Sequence, residues 1–122
     1  MSKTILTIDD SASIRQMVSM TLTSAGLDVI EAINGSDGYD KAISNTIHAV
    51  ITDLNMPVMN GIEFVRKYRQ HPSSKGIPII LLTTESDDEL KRQAKEAGAT
   101  GWIVKPFKQD QLLSVIKKVT GA

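Results

Sequence analysis

Apolar residues along this chain follow two alternating rhythms. Compact blocks of consecutive apolar or β-branched residues recur at about 4–8, 28–31, 48–52, 78–83 and 101–104. The middle blocks, with their "AVI" and "IPIILL", are apolar on successive rather than alternate positions, as strands covered on both faces require. Between the blocks the spacing becomes helical. Ile14, Met17, Val18 and Leu22 fall at i, i+3, i+4 and i+8, and Gly26 is placed to end that helix. Ile62, Val65 and Tyr68 form a stripe in the third helical segment, and Leu90, Ala94 and Ala97 form one in the fourth. Leu112, Leu113, Ile116 and Val119 form the last. Connections are short, with no linker, repeat or low-complexity run.

A strict strand–helix alternation predicts an α/β fold, a parallel sheet with helices on both faces. Right-handed crossovers leave few topologies, although the pattern alone does not set the strand order. In such a sheet ligands sit beyond the carboxyl ends of the strands, where the winding reverses. The 122 residues suffice for one domain with a real core and are too few for two. One domain over 1–122 is therefore expected, with no room for a second.

Charge and cysteine content narrow the class. Fourteen Lys and Arg balance fourteen Asp and Glu, so no global field draws the chain to nucleic acid or an anionic membrane. The basic cluster "KRQAK" at 91–95 reads as a solvated helix face. With no cysteine there is neither a disulfide nor a thiolate zinc site, which suits the cytoplasm. Acids interrupt the first apolar run too early for a signal peptide, and no apolar stretch reaches membrane-spanning length.

The chemistry gathers at strand ends. "ILTIDDS" at 5–11 and "AVITDLNMPVMNG" at 49–61 each run apolar residues straight into acids: Asp9 and Asp10 in one, Asp53 in the other. A carboxylate at the mouth of a buried strand is costly unless something there uses it. Three such groups pressed together repel, so at least one stays protonated unless a cation arrives. Mg²⁺ suits oxygen ligands and keeps waters while bridging to phosphate. The plainer reading, an Asp pair capping the first helix, competes with better caps at Ser11 and Ser13. An aspartate such as Asp53 can cap a loop, or it can attack phosphorus and carry an acyl phosphate. Lys105 precedes Pro106, which biases it to extended geometry. Thr83 closes the fourth strand, either as an ordinary β-branched end or as a hydroxyl able to donate to a phosphoryl oxygen.

Four motifs in order, "DDS", "DLNMPVMNG", "TTE" and "KPF", follow the first, third, fourth and fifth strands. Thirty residues separate Asp53 from Thr83, and twenty-two separate Thr83 from Lys105. Over essentially the whole chain, 3–119, this pattern resembles the receiver domain of two-component response regulators, in its single-domain chemotaxis form. The resemblance implies a flavodoxin-like (βα)5 receiver fold with strand order 2-1-3-4-5, which puts the winding reversal between strands one and three. It implies that Asp53 is the phosphoacceptor and that Asp10, Asp53 and the main-chain carbonyl of Asn55 ligate Mg²⁺, with Asp9 acting mainly through water. By the same resemblance Lys105, after a cis Lys–Pro bond, reaches a phosphoryl oxygen, and Thr83 is the switch hydroxyl. Asn55 and Glu85 would tune removal of the phosphoryl group by water. Trp102 stands where the family usually carries a tyrosine, phenylalanine or histidine whose rotamer follows the switch, a departure, and it reads equally well as a plain core residue.

The implied activity is acceptance of a phosphoryl group from a sensor histidine kinase, read out by altered binding of a downstream target. In chemotaxis regulators that target is the flagellar motor switch protein. The protein would be a monomeric phosphoacceptor rather than an enzyme acting on other substrates. The alternative is a stand-alone receiver that drains phosphate from a shared kinase or answers to a non-motor partner. The fourth helix bears on this choice, because it presents Asp88, Lys91 and Lys95 outward and offers no apolar anchor. Two rivals fit less well. An FMN protein needs a glycine- and hydroxyl-rich loop after strand one, where Asp9 and Asp10 would repel the cofactor phosphate. An aspartate-nucleophile phosphohydrolase resembles a D-x-D motif after the first strand, whereas this chain carries Asp53-Leu54-Asn55 after the third.

Overall fold

The five apolar blocks form the five strands of one sheet. They are β1 (Thr4–Ile8), β2 (Asp28–Ala32), β3 (Ala49–Asp53), β4 (Ile79–Thr83) and β5 (Gly101–Val104), alternating with α1 (Ala12–Ser24), α2 (Gly35–Ser44), α3 (Gly61–Arg69), α4 (Asp88–Ala97) and α5 (Gln109–Thr120). This computed structural model describes residues 3–85 and 87–121. Every strand pair is parallel and the order is β2-β1-β3-β4-β5, as the resemblance implied. Strand bounds agree with the sequence pattern to within a residue or so. One small shift matters: β3 ends on Asp53 rather than before it.

All five residues of β3 and all five of β4 are buried, which is why their sequences are apolar without alternation. Successive side chains enter different cores. Leu6, Ile8, Val50, Ile79 and Leu81 meet Phe64, Val65 and Tyr68 of α3 and Ala94 of α4 on one face. Ile5, Ala49, Ile51, Ile80 and Leu82 meet Val18 and Leu22 of α1 and Leu112 and Ile116 of α5 on the other. The expected α3 stripe is buried as read, and Phe64, outside it, is buried too and stacks on Tyr68 at 5.6 Å between centroids.

Helix ends follow local chemistry. Ser11 caps α1, its side-chain oxygen accepting from the Ile14 N–H at 3.3 Å. After α1, Gly26 lies at φ +86°, and the Leu27 N–H returns to the Leu22 carbonyl at 3.1 Å while both leucines join one core. Asn60 and Glu63 form a reciprocal capping box at α3. The "KRQAK" cluster is solvated on α4, where Arg92 pairs with Glu89 and Glu96. Among the described residues no helix is long and apolar enough to cross a membrane.

Candidate functional site at the carboxyl ends of β1 and β3

The register brings the acids together. β1 and β3 are neighbours, with Ile8 opposite Thr52, so the next residue on each strand, Asp9 and Asp53, emerges at the same edge. β2 lies on the far side of β1 and β4 on the far side of β3, so the chain's winding reverses here and opens a crevice. Asp9, Asp10 and Asp53 each offer a carboxylate oxygen within 4.8 Å of the others. Asp9 and Asp53 are buried and Asp10 is exposed.

Asp9 divides its two oxygens between two roles. Oδ1 accepts from the Ser11 N–H at 2.9 Å, closing a turn ahead of α1, while the helix cap itself is Ser11 and not the Asp pair. Oδ2 is buried, accepts no hydrogen bond, and lies 3.6 Å from the Lys105 Nζ. A buried carboxylate oxygen without a donor, beside two further carboxylates, fits a hard divalent cation as donor set and as charge.

Burial pushes the Asp9 carboxyl above the ordinary carboxylate range; the Ser11 N–H opposes this, the Asp53 charge adds to it, Lys105 opposes and Asp10 adds. A raised acid binds its proton more tightly in the folded state. Its stabilising contribution is therefore full below the unfolded carboxyl pKa and is lost as pH rises through the folded value. Asp9→Asn should accordingly raise the metal-free melting temperature at pH 7 by about 3–5 °C, corresponding to about 1 kcal/mol in a chain of this size. The gain should vanish below about pH 4, where the wild-type carboxyl is protonated in both states. Thermal unfolding across that range checks it, and a mutant no more stable at pH 7 contradicts the repulsion argument.

Lys105 enters from β5. Its N–H extends the β4–β5 ladder to the Thr83 carbonyl at 2.7 Å, and its Nζ reaches Asp53 Oδ1 at 2.9 Å. The Lys105–Pro106 bond is cis. Thr83, 1% exposed, closes β4, and its Oγ1 accepts from the Glu85 N–H at 3.0 Å. Trp102 is partly buried against the α3 and α4 core, and its indole Nε1–H donates to the Glu85 carbonyl at 3.1 Å. Thr83, Glu85 and Trp102 are thus linked through the main chain of Glu85, a connection sequence reasoning did not foresee. Thr84 and Asn55 are exposed in the bends that follow β4 and β3.

The loop after Asp53 is tightly built. The Leu54 N–H bonds to the Leu82 carbonyl at 3.0 Å, and the Gly61 N–H bonds to the Leu54 carbonyl at 2.8 Å. Between them the Met59 N–H returns to the Pro57 carbonyl at 2.8 Å, closing a three-residue turn around Val58 at φ +72°. A β-branched residue at positive φ is strained, and Val58, 81% exposed, has little packing to offset it. Val58→Asn should stabilise the fold by about 1 kcal/mol, since asparagine tolerates this conformation. Val58→Gly should gain less, because it also loosens the unfolded chain. Urea unfolding checks both, and an asparagine variant weaker than wild type contradicts the strain.

Two arginines escaped the sequence reading. Arg69, the last residue of α3, donates to the carbonyls of Ser74 at 2.6 Å, Ile77 at 2.7 Å and Gly98 at 3.0 Å, and burial lowers its pKa. In sequence a basic residue in a last helical turn reads only as a partner for the helix dipole. Arg15 of α1 is the other. It donates from Nη1 to the Asp9 main-chain carbonyl at 2.7 Å.

A doubly wound sheet with three acids and a lysine converging where its winding reverses is the arrangement of the receiver domains of signalling proteins. The chain belongs to the response regulator receiver domain family, whose model matches residues 5–117. Among curated proteins it is 39% identical over 119 residues to the chemotaxis protein CheY homolog of Campylobacter jejuni, covering 96% of this chain and 92% of that one. It is also 35% identical over 117 residues to the transcriptional regulatory protein SrrA of Staphylococcus aureus, of which it spans 47%. Among solved structures, chemotaxis protein CheY4 of Vibrio cholerae superposes with a TM-score of 0.94 at 45% identity, covering 98% of this chain and 99% of that one. The chain is therefore a signalling receiver of the CheY-like kind.

Proposed function

We propose that this receiver takes a phosphoryl group onto Asp53 from a phosphohistidine on a sensor kinase and signals by altered binding to a partner, in chemotaxis. The observation that carries this reading is the convergence of Asp9, Asp10 and Asp53 around a crevice with the Lys105 ammonium 2.9 Å from Asp53. An Asp53 carboxylate oxygen attacks phosphorus; the new P–O bond forms as the P–N bond breaks, and the departing imidazole nitrogen keeps the electron pair and takes a proton from water. Lys105 then faces the transferred group and offsets its spreading negative charge. Asp9, Asp10, Asp53 and the Asn55 carbonyl would hold Mg²⁺, which supplies charge neutralisation at the phosphoryl oxygens. Asn55 and Glu85 orient the water that later hydrolyses the acyl phosphate.

Thr83 is the residue through which phosphorylation is read. Its hydroxyl turns to the new phosphoryl oxygens, releasing the Glu85 N–H it now accepts from. Because Glu85 also holds the Trp102 indole, that rearrangement favours a second position of the β4–α4 loop and of Trp102. The groove beside Trp102, lined by Lys91, Ala94, Lys95 and Ala99, is the surface a partner would feel change.

Matching over nearly the full length of a chemotaxis relative supports the chemotaxis reading, in which the target would be the flagellar motor switch protein. A second reading, a phosphate sink or a regulator of a non-motor partner, is favoured by the charged face of α4, where Asp88, Glu89, Lys91, Arg92, Lys95 and Glu96 are all exposed.

The test is direct. The protein is incubated with acetyl phosphate and MgCl₂, then assayed for an adduct released by hydroxylamine, as an acyl phosphate is. A hydroxylamine-labile adduct dependent on Mg²⁺ is expected, and its absence would overturn the proposal.

A further inference from the structure

The three acids differ in how they are held. Asp9 is fixed through its side chain by the Ser11 N–H, and Asp53 is fixed by its place at the end of β3 and by Lys105. Asp10 is exposed, and among the described residues no side-chain hydrogen bond orients its carboxylate. Its direction is therefore set by the main chain, and above all by the Asp9–Asp10 peptide, which is a rigid plane.

One side chain holds that plane. The preceding Ile8–Asp9 peptide is held by the sheet, its Asp9 N–H bound to the Ala32 carbonyl at 3.1 Å, one step beyond the β1–β2 pairing. On the other side, Arg15 Nη1 donates to the Asp9 carbonyl oxygen at 2.7 Å. The guanidinium is itself steadied from β2, where its Nε meets Glu31 Oε1 at 3.3 Å, and its side chain is only 16% exposed. With the carbonyl pinned, rotation of the Asp9–Asp10 peptide is suppressed, which fixes where the Asp10 Cα leaves the strand end.

We infer that Arg15 is a positioning residue for the cation site: it aims Asp10 at Asp53 by holding the Asp9 carbonyl, without touching the cation or the phosphoryl group. The inference rests on the metal-dependent reading above and adds a residue to it. Charge and geometry make opposite predictions here. Removing a cation from beside three carboxylates strengthens their hold on Mg²⁺ if charge alone matters. Losing the carbonyl anchor weakens it, because partners behind a ligand commonly contribute tenfold or more to metal affinity.

The experiment follows backbone amide NMR shifts during titration with MgCl₂, with no phosphodonor present. Arg15→Met should weaken Mg²⁺ binding about tenfold. Arg15→Lys keeps the charge but loses the planar fork and its reach, and should also bind more weakly. Glu31→Gln leaves an acceptor for Arg15 and should stay within about twofold of wild type. Thermal unfolding without Mg²⁺ establishes which variants are folded; if Arg15→Met is not, Arg15→Lys decides. Equal or tighter binding by a folded Arg15 variant overturns the inference while leaving the functional reading intact. Tighter binding by Arg15→Met together with weaker binding by Glu31→Gln would assign the effect to charge and overturn the inference in the same way. A wild type that shows no saturable Mg²⁺ response overturns the functional reading, and this inference with it.

Discussion

Asp53→Asn is expected to abolish labelling by acetyl phosphate, lowering its rate by at least about three orders of magnitude, as loss of a covalent nucleophile does. The reason is electronic. A carboxylate oxygen carries the negative charge that makes it nucleophilic toward phosphorus, whereas the carboxamide oxygen is neutral, with its lone pairs drawn into amide resonance. The shape of the site should survive, because the carboxamide oxygen remains an acceptor for Lys105, which now bonds Asp53 Oδ1 at 2.9 Å. Reducing three converging carboxylates to two also relieves repulsion, so the mutant should melt no lower than wild type without Mg²⁺. The two readouts together separate a lost nucleophile from a lost fold. An adduct of wild-type yield and lability in the mutant would transfer the role to Asp9 or Asp10.

Gly61→Ala should be the most damaging single methyl added near the site. A Cβ there would lie 2.5 Å from the Asp53 carbonyl oxygen, 2.8 Å from Leu81 Cδ2 and 3.1 Å from the Leu54 Cα. Two of those three atoms belong to the main chain, which cannot rotate aside as a side-chain tip can. The Gly61 N–H also bonds the Leu54 carbonyl at 2.8 Å, so the start of α3 cannot retreat without losing that bond. A destabilisation of about 2–3 kcal/mol is expected, at the upper end for overpacking, or roughly 8–12 °C in melting temperature. Because the displaced atom is the carbonyl of Asp53, acetyl phosphate labelling should slow as well, even at temperatures where the variant is folded. Gly26→Ala is the comparison. No atom lies within 4 Å of a Cβ at Gly26, so the cost there is the φ of +86° alone, about 1 kcal/mol, with labelling unchanged. Equal effects at the two glycines would contradict the steric account.

Much of the architecture was legible because burial on both faces leaves a direct trace. β3 and β4 are apolar at consecutive positions since neither face meets water, and that pattern distinguishes them from half-exposed strands. The stripe of α3 and the glycine after α1 were legible for the same kind of reason, a periodicity and a backbone conformation with few alternatives. Phe64 was not, because a residue just off a stripe is buried or exposed according to how far the neighbouring helix reaches over it. The site acids were legible as anomalies, since Asp9, Asp10 and Asp53 stop apolar runs without any local partner in sequence.

Side-chain contacts to the main chain left no such trace. Arg15 and Arg69 bind main-chain carbonyls, and a carbonyl is the same for every residue type, so sequence carries no complementary partner to find. The indole bond from Trp102 to Glu85 is hidden for the same reason.

Residue order by itself determined the alternating elements, their approximate bounds, and the presence of unpaired acids at the ends of the first and third strands, because each follows from hydrophobic period and local chemistry. Tertiary structure decided that β1 and β3 lie side by side in a register that brings the three carboxylates within 4.8 Å, and that Lys105 crosses from β5 to meet them. Strand adjacency depends on which surfaces pack together across tens of residues of chain, a global choice that no local window of sequence contains.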